Sequence, residues 1–143
     1  MGIISFFQKI KSRRLLRGAY RSHRSPEELL EDARRVLSVD PSFAKAWNLR
    51  GLLQIRMHGN NLDVTDEYDR EILHDLKKAC DLAPKNRFYA SCYVDYLGYA
   101  GRTEEASAFI QGIANMPPGA IRALKEQAMH YAVFGTTRSL KNG

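Results

Sequence analysis

Prolines recur in this chain where helix-forming phrases stop, and their spacing is nearly regular: Pro41 in SVDP, Pro84 in DLAP and Pro118 in NMPPG. Proline disfavours helical geometry in the residue before it, so each is read as a boundary. From Pro84 to Pro118 is 34 residues, and from Pro41 to Pro84 is 43, the same period enlarged by nine. Between these boundaries the punctuation is helical. Ser25-Pro26-Glu27-Glu28 offers a cap, a proline preset for the first helical position and a glutamate placed to reach back to the cap amide. Leu29, Leu30, Ala33, Val36 and Leu37 then follow at helical spacing. No run alternates apolar and polar β-branched residues, and no Asn-Gly or Asp-Gly turn joins two such runs. The fold class expected is all-α.

A length of 143 residues suits one domain with a real core. The apolar fraction of 44% with 27% charge is that of an ordinary globule, which sets aside a disordered chain. Cys80 and Cys92 give neither a disulfide framework nor a paired-thiol metal spacing, and are expected to be reduced and structural, in an intracellular reducing compartment. No apolar run approaches the roughly 20 residues of a membrane-spanning helix. The net charge of +6 is unevenly placed. Met1 to Ser25 holds seven basic residues and no acid, whereas Pro26 to Gly143 holds fifteen basic and sixteen acidic residues.

AKAWNLRG, Ala44 to Gly51, joins a large aromatic, Trp47, to a small residue, Gly51, one turn later. YAGRTEEA, Tyr99 to Ala106, stops one helix at Gly101 and starts another, with Thr103 as its cap and Glu104 and Glu105 in its first turn. With a period of 34, these phrases resemble the tetratricopeptide repeat, whose units are helical hairpins. The resemblance implies that Trp47 fills the gap left by Gly51, and that Ala106 is the small residue where two helices of a unit touch. In LKEQAMHYAVFG, Leu124 to Gly135, the residues Ala128, Tyr131 and Gly135 match a further first helix without its partner. LLRGAY, Leu15 to Tyr20, resembles a degenerate first helix, with Arg17 in place of the small residue. The second unit departs from the pattern around HGNNLDVTDEY, His58 to Tyr68. That insertion is expected to lengthen the inter-helix loop and extend the second helix, with Asp63 or Thr65 as cap.

The organisation expected is therefore a basic amphipathic arm over 1–25 that overlaps the degenerate first helix, a repeat domain over 26–135 and a tail over 136–143. The architecture is a short right-handed α-solenoid of helix-turn-helix units.

No catalytic residue, metal ligand or cofactor is expected. His23, His58, His74 and His130 form no HExxH pair and stand beside no nucleophile motif, and there is no glycine-rich phosphate loop. Tyr89, Tyr93 and Tyr96 share one helix face and are read as packing between repeats. By resemblance, the concave groove is lined by Lys45, Asn48, Leu52 and Arg56, then Phe88, Ser91, Asp95 and Tyr99, then Arg122, Lys125 and Met129. Such a groove mixes aromatic anchors with cations and suits a peptide carrying some acid, or a neighbouring subunit. The family's cluster for acidic C-terminal peptides is not reproduced, since Leu52 stands where asparagine is expected. The competing reading is that the chain's own N-terminal segment covers the groove.

In MGIISFFQKIKSRRLLR, the residues Ile3, Ile4, Phe6, Phe7 and Ile10 share a broad helical face, accompanied by Lys9, Lys11, Arg13 and Arg14. A basic amphipathic helix of this kind suits an anionic membrane surface or a larger complex. It also resembles a mitochondrial presequence. The alternative is a helix that docks its apolar face on the repeats. A nucleic-acid partner is disfavoured, because the cations sit in one arm instead of along the repeat surface. The function expected is a non-enzymatic protein-interaction module, cytoplasmic, peripheral to a membrane or mitochondrial, with RNA or DNA association as the alternative.

Overall fold

The computed structural model describes the backbone of residues 3–21, 23–58, 66–113 and 116–134, and their side chains except at 3–5, 66 and 131–134. Among these residues all regular structure is helical: α1 (Ile3–Arg14), a 3-10 turn (Ala19–Arg21), α2 (Pro26–Val39), α3 (Ala44–His58), α4 (Asp66–Leu82), α5 (Arg87–Tyr99), α6 (Thr103–Gln111) and α7 (Pro118–Phe134). Contacts group the chain into two compact units, Met1–Leu82 and Ala83–Gly143. The division falls inside the stretch expected as one repeat domain, and the arm belongs with the first unit. The expected tail, 136–143, and the capping roles of Asp63 and Thr65 lie outside the described residues.

Helix starts and stops follow the local chemistry. The Ser25 side chain accepts from the Glu28 amide at 3.2 Å and Pro26 takes the first helical position of α2. The Glu28 carboxylate lies 3.6 Å from Arg24. Asp40 closes α2 just before Pro41, and α4 ends two residues before Pro84. Pro118 behaves otherwise: it opens α7, so the third proline of the series is a start and not a stop.

In the first unit, α2 packs on α3 and α3 on α4. The core joins Leu29, Leu30, Ala33, Val36 and Leu37 of α2 to Ala46, Leu49 and Leu53 of α3, with Phe43 and Trp47 against it. Gly51 is what lets α3 and α4 close: a Cβ there would meet Leu76 Cδ2 at 2.8 Å, and Leu76 is fully buried. Trp47 bridges to α4, its ring edge-to-face with His74 and its Nε1 donating to the Pro41 carbonyl at 2.7 Å. At 17 residues α4 is long, as the insertion suggested, against 9 for α6.

Leu15 to Tyr20 is not an α-helix: residues 15–18 form a turn that leads into the 3-10 segment Ala19–Arg21. The amides of Leu15, Leu16 and Arg17 bond three residues back, and Gly18 is left-handed at φ 69°. This break directs Leu16 and Ala19 into the core of the first unit.

In the second unit, α5 and α6 pack together and α7 packs on both. The hairpin turn is a Schellman motif: Gly101 has φ 81°, its amide bonds Gly98, and the Arg102 amide bonds Leu97 at 2.8 Å. Thr103 is already the first residue of α6, and Arg102 occupies the cap position without a side-chain cap bond. Glu104 and Glu105 fall in the first turn, as their charge favours. Ala106 is fully buried, and Tyr89, Tyr93 and Tyr96 are core residues, Tyr93 meeting Phe109 edge-to-face at 4.8 Å.

Candidate partner-binding surfaces

The α3 face expected to line a groove begins with Lys45 and Asn48. Both are taken up by the chain's own N-terminal segment. The Tyr20 hydroxyl donates to Asn48 Oδ1 at 2.7 Å, and Lys45 Nζ lies 5.5 Å from the centre of the Tyr20 ring. Asn48 is fully buried, with its Nδ2 also enclosed and without a hydrogen-bond partner in this structure, so it is a core residue and not a surface for a partner. Beyond this cover Leu52 is half-buried and Arg56 exposed.

On another side of α3, the Arg50 guanidinium donates two hydrogen bonds to Asp75, Nε to Oδ2 at 2.9 Å and Nη2 to Oδ1 at 2.8 Å. The Asp75 side chain is 2% exposed, and the hydrogen bonds it accepts from Arg50, helped by its charge and opposed by burial, hold Arg50 above the usual guanidinium value. The pair forms part of the wall of an open cleft of about 740 Å³ where Arg34, Gln54, Arg70 and Glu71 also lie. Cations and carboxylates both line it, and the buried Gln54 Oε1 has no partner in this structure. The sequence reading passed over this pair. The signal available was Asp75 itself, which falls on the buried stripe of Ile72, Leu76 and Ala79 and so demands a cation.

In the second unit, Gln127 of α7 gathers two of the expected groove residues. Ser91 Oγ donates to Gln127 Oε1 at 3.2 Å, while Gln127 Nε2 donates to the Ser91 carbonyl at 3.3 Å and to Asp95 Oδ1 at 3.1 Å. Ser91 and Asp95 are thus engaged in the α5–α7 contact. Gln127 was not among the residues expected to matter. Tyr99 is half-buried against Tyr96, and Phe88 is 51% exposed.

Lys125 and Met129 do come together. They line a cleft of about 330 Å³ between α6 and α7, whose other walls include Glu104, Ser107, Ile110 and Ala128. Met129 is 62% exposed, and Arg122 is exposed one turn before Lys125 on the same helix. The apolar lining comes from Ile110, Ala128 and Met129, with Glu104 and Lys125 adding opposite charges.

At the N-terminus, Phe6 and Phe7 are 61% and 62% exposed, with ring centres 5.9 Å apart and planes at 65°. Lys9 and Ile10 are half-buried, and Lys11, Arg13 and Arg14 exposed. The side chains of Ile3 and Ile4, and that of Tyr131, are outside the described set. The helix is held at its other end: Ser12 is buried, Arg13 Nε donates to Asp40 Oδ2 at 2.7 Å, and the Arg13 guanidinium lies 4.6 Å from the Phe43 ring centre.

No helix among the described residues is long and apolar enough to cross a membrane. No group of three or more His, Cys, Asp or Glu able to hold a metal occurs among them. Compared with protein-family models, with curated proteins and with solved structures, the chain matches none.

Proposed function

We propose that this chain is a non-enzymatic protein-interaction module of tetratricopeptide-like hairpins in a short right-handed solenoid. Its partner is a peptide or a neighbouring subunit. The observation that carries the reading is the α6–α7 cleft, where an exposed methionine and a lysine flank an apolar slot. A partner's apolar side chain entering it would cover Met129, Ile110 and Ala128, and Lys125 with Arg122 would steer an acid beside that side chain. Methionine suits such a slot because its unbranched thioether adapts to different shapes. The covering of Lys45 and Asn48 by Tyr20 shifts the expected binding surface away from the start of α3.

Selection of random peptides on the immobilised chain tests this. Enriched peptides should pair a large apolar residue with a nearby acid, and Lys125→Glu should abolish their enrichment. Absence of enrichment over an empty support, or enrichment indifferent to Lys125→Glu, would remove the cleft from the function.

A further inference from the structure

We propose that α1 is a peripheral anchor for an anionic lipid surface, in which Phe6 and Phe7 enter the interfacial layer and the cations behind them rest on the headgroups. The argument uses the first unit alone and is independent of the peptide cleft.

The way α1 is attached is what points outward. An amphipathic helix that serves its own core lays its apolar face inward. Here the opposite holds for the two phenylalanines: among the described side chains of α1 the buried one is Ser12, and the Arg13–Asp40 pair fixes the same end, while both rings project into solvent. These two rings are therefore not consumed by folding.

The charge around it selects the occupant. Lys9, Lys11, Arg14, Arg17 and Arg21 make no ion pair among the described residues, whereas Arg13 and Arg24 are taken by Asp40 and Asp32. No acid occurs from Met1 to Ser25. On the helix, Lys11 and Arg14 follow Phe7 at four and seven residues, so one stripe runs from an aromatic to two cations. Aromatic and cation so arranged match the two layers of an anionic interface, ring at the acyl boundary and charge at the phosphates.

A nucleic acid would ask for something else. Stacking successive bases needs parallel platforms, but adjacent helical residues diverge by about 100°, and these rings stand 65° apart. A lipid interface imposes no such geometry.

The test is flotation of the full chain with vesicles of phosphatidylcholine alone or mixed with phosphatidylserine. Binding to the mixed vesicles only is expected, weakened about tenfold or more by half-molar salt as the Debye length shrinks. Phe6→Ser with Phe7→Ser should lower it by about tenfold or more through lost apolar burial, with an unchanged melting curve because both rings are exposed. Lys11→Glu with Arg14→Glu should lower it likewise. A Phe7→Trp chain, read as the difference from the parent, should shift to the blue and be quenched by brominated lipid. Undiminished binding by the double serine chain would overturn the proposal. So would absence of binding to the mixed vesicles, whether accompanied by self-association that the serines abolish or by binding of a single-stranded RNA oligonucleotide. The double serine chain should select the same peptides as the parent, which separates failure of the anchor from failure of the cleft.

Discussion

Tyr20 and Asn48, 28 residues apart in sequence, share a 2.7 Å hydrogen bond that binds the N-terminal segment to α3 and encloses the asparagine carbonyl. Removing the hydroxyl leaves that carbonyl buried without its donor. Tyr20→Phe is expected to cost about 1–2 kcal/mol, read from the urea midpoint. Adding Asn48→Leu, which removes the polar group itself, should restore most of the loss.

Arg50 and Asp75 offer a stronger case. Asp75 is almost wholly enclosed, so Asp75→Ala strands a cation that is three-quarters buried. The expected cost is about 3 kcal/mol, the lower end for breaking a buried pair. Arg50→Met combined with Asp75→Leu should be much less damaging than either the alanine change or Arg50→Met alone, measured by chemical denaturation.

Asp40 sets a pH dependence. Burial pushes its carboxyl up, but hydrogen bonds from Ser42 and from the Arg13 guanidinium outweigh that and hold it below the usual range. A carboxyl depressed in the folded state stabilises fully above its unfolded value of about 3.9, and that stability is lost as the pH falls through the folded value. Asp40→Asn should lower the urea midpoint at neutral pH and flatten its decline below about pH 4. A decline as steep as the parent's would show that other carboxyls dominate.

Two glycines should fail for different reasons. Gly51→Ala drives a Cβ against the enclosed Leu76 and should cost about 1–2 kcal/mol, overpacking outweighing the helix-propensity gain. Gly101→Ala meets nothing within 4 Å, yet keeps a left-handed backbone at φ 81°. It should cost about 1–2 kcal/mol through that strain alone. The discriminating measurement is Gly101→Asn, which tolerates that conformation and should recover part of the loss.

What could be read from the sequence was local. Ser25-Pro26 and Gly101 act through their own backbone requirements, so their roles in starting α2 and ending α5 were legible without the fold. Thr103 was misplaced by one residue because the Schellman turn uses up Ala100 to Arg102 and α6 starts at once. Leu15 to Tyr20 carries helix-forming residues, but packing Leu16 and Ala19 into the core requires the break at Gly18. Pro118 fits the spacing series while opening α7, since the residue type marks a boundary without saying which side of it is helical.

The candidate surfaces were less legible because they depend on partners distant in sequence. Nothing near Asn48 announces Tyr20, and nothing near Ser91 announces Gln127, 36 residues later. Lys125 and Met129 were expected because the tetratricopeptide resemblance puts them on the lining face, but the wall facing them, from α6, was not. The amphipathic character of α1 was visible, whereas the end by which it is fastened was not.

The contact of Gly51 with Leu76 also constrains how this sequence can diverge. A side chain at position 51 calls for a smaller or displaced one at 76, so changes at the two sites are coupled. A descendant bearing alanine at the first and leucine still at the second would have to turn the Leu76 side chain aside or let α3 and α4 separate.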